Sequence, residues 1–162
     1  MKLRVELSEQ SVAQALKDVK RFQKRLETKK RLLIERLALI GAQEASIRFA
    51  TAIYDGVNDS TVNVRRIANG WAIVAKGNAV CFIEFGAGVY HNQSEPYPNP
   101  RPPGVVGIGE YGLGKGKRQG WVFKNGKEKI FTRGNPAAMP MWYATEEMRR
   151  SVLAVAREVF SD

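Results

Sequence analysis

Soft metal ligands are almost missing: the 162 residues hold one cysteine, Cys81, and one histidine, His91. A lone thiol closes no internal disulfide, and with one imidazole it is too little for a zinc site. Disulfide scaffolds, structural zinc and histidine-based triads are therefore excluded as organising features. No apolar run approaches the roughly 18 residues that a membrane-spanning helix needs. Met1 to Leu7 alternates charged with apolar side chains, unlike a secretory leader, so the expectation is a cytoplasmic product that engages no membrane. Proline is absent from residues 8–53 and glycine occurs there once, at Gly41, which removes the usual helix breakers from the whole stretch.

Acidic residues are also short, 16 against 26 basic ones, for a net charge of +10. The excess is uneven. Residues 1–50 carry 12 basic and 6 acidic groups and residues 86–134 carry 8 and 3, whereas 51–85 balance at 3 and 3. Such a balance is the electrostatic footprint of a chain that works near nucleic acid, although solvated helix faces are also rich in Lys and Arg.

The length and the 44% apolar content suit a single domain spanning 1–162. Ser8 to about Ile53 reads as helix, with Ser11 and Gln14 spaced as a capping box. Steps of four and three pick out Val12, Leu16, Val19, Gln23, Leu26, Lys30, Leu33, Leu37, Ile40, Glu44 and Ile47, an apolar seam interrupted near Thr28 to Arg31. Unbroken, this helix would run about 60 Å, far beyond the roughly 15 Å radius of gyration of a chain this size. Either it breaks near Thr28 or its first half projects toward a partner. Beyond Leu32 the apolar residues surround the helix, marking the second half as the more buried.

From Ser60 the period becomes two. Turn signals at Asn69-Gly70 and Gly77-Asn78 divide three antiparallel strands, 61–68, 71–76 and 79–85, the last apolar on both faces with Cys81 packed inside. Residues 86–120 hold nine glycines and five prolines and read as a long mobile loop. A second hairpin, 121–124 with 127–132, turns at Asn125-Gly126. A final helix then opens at Pro140, with Met141, Thr145, Met148, Val152, Val155 and Val159 as its inward stripe. The fold class expected is α+β: an antiparallel sheet, meander plus hairpin, packed against a long N-terminal helical element and a C-terminal helix.

Gly107 to Gly112 matches the letters of a dinucleotide fingerprint, but a proline-rich loop precedes it and a hairpin follows, where the motif needs a strand and a helix. Gly109 to Lys115 begins a phosphate loop, yet Gly116 stands where a magnesium-binding hydroxyl is required. No cofactor is expected. Lys115, Lys117 and Arg118 read instead as a basic loop that faces a partner or DNA phosphates. Tyr90, Tyr97, Tyr111 and Trp121, interleaved with cations, suit stacking on bases, anchoring of a protein partner or pinning of the loop. With no acid pair and no nucleophile beside a base, nothing argues for an enzyme.

Phe82-Ile83-Glu84-Phe85-Gly86-Ala87-Gly88 resembles the (V/I)-E-F-G-(T/A)-G signature of the tailed-bacteriophage minor tail protein family. Gly134-Asn135-Pro136-Ala137-Ala138-Met139-Pro140-Met141-Trp142 is similar to that family's later G-x-P-A-x-P-F stretch. The order of elements also matches over most of the chain, with Ala87 where threonine is frequent and Met141-Trp142 where phenylalanine is usual. The resemblance implies a structural virion component that acts in tail completion or head-tail joining. It further implies self-association into a ring, often a hexamer, contact with other tail or connector proteins, and non-specific contact with passing DNA. The chain would be made in the host bacterial cytoplasm and reside in the tail. Glu84, Phe85, Gly86, Gly88, Pro136, Pro140 and Trp142 would carry structural or interface roles, and Glu84 by itself reads as a carboxylate satisfied by loop amides. The competing reading is a basic nucleic-acid-binding protein.

Overall fold

The computed structural model describes Glu6 and residues 8–88 and 119–161. Along the chain these form α1 (Glu9–Thr51), β1 (Thr61–Ile67), β2 (Gly70–Lys76), α2 (Val80–Phe85), β3 (Trp121–Asn125), β4 (Glu128–Thr132) and α3 (Pro140–Phe160). The class is α+β, as the periodicities imply.

Helix α1 does not break at Thr28. It runs 43 residues without interruption, about 64 Å at 1.5 Å per residue. Thr28 is absorbed by donating its hydroxyl to the Lys24 carbonyl at 3.0 Å, and the surrounding Leu, Lys, Arg and Glu are good helix formers. The cap is Ser8 rather than Ser11: its Oγ accepts the Ser11 amide at 3.3 Å. The second half is the buried one, but the leucine seam is not its packing face. The buried positions are Ala38, Gly41, Ala42, Ala45 and Phe49, while of the seam Leu33, Leu37 and Ile40 are half-buried and Ile47 is 52% exposed. Small residues on this ridge let other elements approach the helix backbone. At Gly41 a Cβ would stand 2.7 Å from Ile73 Cδ1 of β2 and 2.8 Å from Met148 Cγ of α3, so helix, hairpin and helix cross there.

Helix α3 lies antiparallel to α1. The Arg48 guanidinium covers the Tyr143 ring at 3.6 Å, Gly41 meets Met148, and Arg36 pairs with Glu158 at 3.1 Å. Pro140 takes the first turn of α3 as expected. Of the expected inward stripe, Val155 and Val159 are buried and Met141 and Met148 half-buried. Thr145 and Val152 are exposed, and Ala144, buried with Ala45 and Phe49 of α1, takes the inward place instead.

The three-stranded meander is corrected to a hairpin. Strands β1 and β2 pair antiparallel, with Ile67 opposite Gly70 and Val64 opposite Ile73, so the turn falls on Ala68-Asn69, one residue before the expected Asn69-Gly70. Strand β3 pairs with β4 as a separate two-stranded sheet with Asn125 opposite Glu128, which puts its turn on Gly126-Lys127, one residue after the expected Asn125-Gly126. Residues 80–85 are helix α2, not a strand. A short run apolar on both faces fits a buried strand and a buried helical turn equally well. Asp59 decides between them: its carboxylate accepts the amides of Asn78 at 2.8 Å and Ala79 at 2.9 Å, and thereby turns the chain into the helix. Cys81 lies exposed on α2, not packed inside a strand. The core gathers Ala45, Phe49, Ala79, Ile83 and Ala144.

Candidate functional site

Residues 82–88 and 134–142, far apart in sequence, form one joint. Helix α3 begins without a cap of its own, because Met139 at the N-cap is left-handed (φ 52°) and its side chain accepts no hydrogen bond. The cap comes from α2. Glu84, 5% exposed, accepts the Met141 amide through Oε2 at 2.8 Å and the Trp142 amide through Oε1 at 3.2 Å. Both amides belong to the first turn of α3, where backbone N–H groups lack helical partners and the helix dipole favours a negative charge. The reading of Glu84 as a carboxylate that ends a strand and is satisfied by loop amides is corrected: it lies on helix α2, and amides of the first turn of α3 satisfy it.

The other residues of the two motifs close the same joint. Phe85 packs with Trp142 and Tyr143 around buried Ala137 and Met139. Gly86 ends α2 at φ 75° and ψ 175°, and a Cβ there would stand 2.9 Å from the Ala137 nitrogen and 3.0 Å from the Asn135 carbonyl oxygen. Gly88 lies under the Trp121 indole. The Pro136 carbonyl accepts the Asn135 side-chain amide at 3.2 Å, and Pro140 is fully buried. Glu84, Phe85, Gly86, Pro136, Pro140 and Trp142 thus meet at this joint, and Gly88 lies beside it against Trp121 and Arg133.

Sequence reasoning missed the residue that pins the two segments, Asn135. Its backbone exchanges hydrogen bonds with Ala87 at 3.0 and 3.1 Å, and its side-chain amide donates to the Phe82 carbonyl at 2.8 Å. In sequence it stood within the Gly134–Trp142 stretch with no role of its own, and nothing local marks an asparagine as a long-range clamp. The Arg48–Tyr143 stack, which ties α1 to the first turn of α3, was likewise not legible.

Behind the joint, Tyr54, Phe82, Trp121, Phe123 and Thr132 line a cavity of about 200 Å³. Tyr54 stacks on Phe82 with centroids 6.3 Å apart. Burial, followed by the charge of Asp59, raises the Tyr54 hydroxyl above its ordinary pKa. Asp55 on the rim accepts the Thr132 hydroxyl at 2.7 Å. Among the described residues no group of three or more His, Cys, Asp or Glu could hold a metal ion, and no helix is long and apolar enough to cross a membrane. Lys115, Lys117 and Arg118, with His91, Tyr90, Tyr97, Tyr111 and the Gly107–Gly112 pattern, lie outside the described residues.

A second surface stands out on α1. Among the described residues none before Ala38 is buried, and side-chain hydrogen bonds from Gln14 to Thr28 stay within the helix. Val12, Leu16, Phe22 and Leu26 are 38–57% exposed along one stripe of this half. Of the two alternatives open at Thr28, projection of the first half is the one found.

Compared with family models, curated proteins and solved structures, the chain matches none.

Proposed function

We propose that this chain is a structural component of a phage or prophage tail, a ring-forming minor tail protein that acts in tail completion or head-tail joining and performs no catalysis. The observation that carries the reading is the joint. Two stretches that resemble the signatures of one family meet across 57 residues of sequence, where Glu84 of the first caps the helix opened by the second. A shared structural reason for both signatures supports their joint resemblance over a coincidence of short apolar words.

The projecting half of α1 supports assembly. An apolar stripe left in water is a surface awaiting a partner. Each copy carries the same stripe at steps of three and four, so a second copy supplies a complementary surface. Partners are then further copies of the chain, with other tail or connector proteins, and the place of action is the virion tail. Residues 80–85, being helical, offer no strand edge to a neighbouring copy.

Light scattering across a wide concentration range, alone and with a tail-tube protein, tests the reading. A discrete closed oligomer in either condition supports it. A strict monomer in both, together with tight, salt-resistant and sequence-selective DNA binding, would replace it with the nucleic-acid-binding alternative.

A further inference from the structure

The same half of α1 has a second face. Eight basic and three acidic residues lie between Glu9 and Arg31. Within the helix five of them, Lys17, Lys20, Arg21, Lys24 and Arg31, follow steps of i, i+3, i+4, i+7 and i+14, which places them on one stripe about 21 Å long, while Arg25, Lys29 and Lys30 fall outside it, toward the apolar side. At 100° per residue this stripe falls opposite Val12, Val19, Phe22 and Leu26, with Leu16 between the two faces. All five cations are exposed. Arg21 pairs with Asp18 at 3.3 Å, whereas Lys17, Lys20, Lys24 and Arg31 have no acidic partner within salt-bridge distance among the described residues. Glu27, at the margin of the stripe, is engaged by Lys30 at 3.1 Å. Beyond Arg31 the stripe meets Glu35, and the groove at the β1–β2 turn that Arg31 shares with Arg66 also holds Glu27 and Glu35, so the basic stripe ends there.

We propose that this basic face is a contact surface for the phosphate backbone of duplex DNA, independent of base sequence. Four unpaired cations on a rigid rod present a line of positive charge that a polyanion neutralises with release of its counterions. The geometry favours a rod-like polyanion over an anionic lipid surface. A helix lying in a membrane buries its apolar stripe, and the cations that reach headgroups flank that stripe. Here five of the eight cations occupy the far side of the helix, and of those nearer the apolar stripe Arg25 stacks on the Phe22 ring and Lys30 pairs with Glu27, so a plane that receives the apolar stripe misses the basic one, whereas a duplex engages the basic stripe alone. The surface is defined by α1 itself and stands whether or not the chain belongs to a tail.

Fluorescence anisotropy of labelled mixed-sequence duplexes of about 24 base pairs, titrated with the full chain between roughly 50 and 200 mM NaCl, tests the proposal. The unaltered chain should bind two unrelated duplexes equally, with an affinity that falls steeply with salt. The combined variant Lys17→Gln, Lys20→Gln, Lys24→Gln and Arg31→Gln should bind about tenfold more weakly, or worse, at the lowest salt. Its salt slope should be about 3 to 4 smaller, at roughly 0.9 for each phosphate that the variant no longer neutralises, with helicity by circular dichroism unchanged. A control, Lys124→Gln, Lys127→Gln and Lys129→Gln on the β3–β4 hairpin, should change binding less than about threefold. No binding by the unaltered chain at the lowest salt would overturn the proposal, as would equal losses in both variants. Displacement of the duplex by vesicles of 3:1 phosphatidylcholine and phosphatidylserine would transfer the surface to lipid.

Discussion

Glu84 on α2 and Met141 in the first turn of α3 are joined by a hydrogen bond of 2.8 Å that crosses 57 residues of sequence. The Met141 amide donates and the Glu84 carboxylate accepts, so a six-residue helix holds the start of a 21-residue one. That relationship makes the joint a structural element and gives it measurable consequences.

Removing the carboxylate leaves two amides of a buried first turn without an acceptor. Glu84→Ala should destabilise the fold by about 3 kcal/mol, and Glu84→Gln, which keeps one acceptor, by roughly half as much. Urea unfolding followed by circular dichroism measures both. A loss below about 0.5 kcal/mol for the alanine variant would show that α3 starts without this cap.

Gly86 combines a backbone conformation essentially reserved for glycine with close approach of residues 135–137. Gly86→Ala should cost about 3 kcal/mol or abolish soluble expression. Gly126→Ala, at φ 62° with no neighbour near the new methyl group, should cost only about 1 kcal/mol. Thermal unfolding of the pair measures this difference, to which both the crowding at Gly86 and its more restricted backbone conformation contribute.

Asp59 gives the fold an acid sensitivity. Amides of Asn78 and Ala79 hold its carboxyl below the ordinary aspartate value of 3.8. A depressed folded-state pKa means that its contribution is fully present above 3.8 and is lost as the pH falls toward and through the lowered value. Unfolding between about pH 5 and pH 2 should therefore be steeper for the unaltered chain than for Asp59→Asn, which retains an acceptor but does not titrate. Parallel stability profiles would exclude Asp59 as a contributor.

Assembly should depend on the apolar stripe of the projecting half of α1. Leu16→Glu with Leu26→Glu, at positions 57% and 45% exposed, should shift any oligomer to monomer by light scattering. The melting temperature of the monomer should stay within a few degrees, because neither side chain belongs to the core. An unchanged oligomer would place the subunit interface elsewhere.

Local chemistry alone determined much of this protein. Both hairpins form beside the Asn-Gly signals that divide the period-two runs, although each turn is displaced by one residue, onto Ala68-Asn69 and Gly126-Lys127. Helix α1 forms because nothing between Glu9 and Thr51 breaks it, and α3 opens at a proline suited to a first turn. The seven motif residues were also legible, through resemblance. Tertiary structure decided the rest. Residues 80–85 became helix because Asp59, some twenty positions earlier, captures the amides that precede them. The packing face of α1 became Ala38, Gly41, Ala42, Ala45 and Phe49 instead of the leucine seam, since close helix approach selects small side chains and hydrophobicity alone cannot say which stripe a neighbour will take. Glu84 became a cap only because α3 arrives with its own N-cap position empty of an acceptor. Short-range periodicity and turn chemistry act between residues that are neighbours in sequence. A long-range cap or packing face depends on which surfaces the chain closes together, and that is set only when the whole core forms.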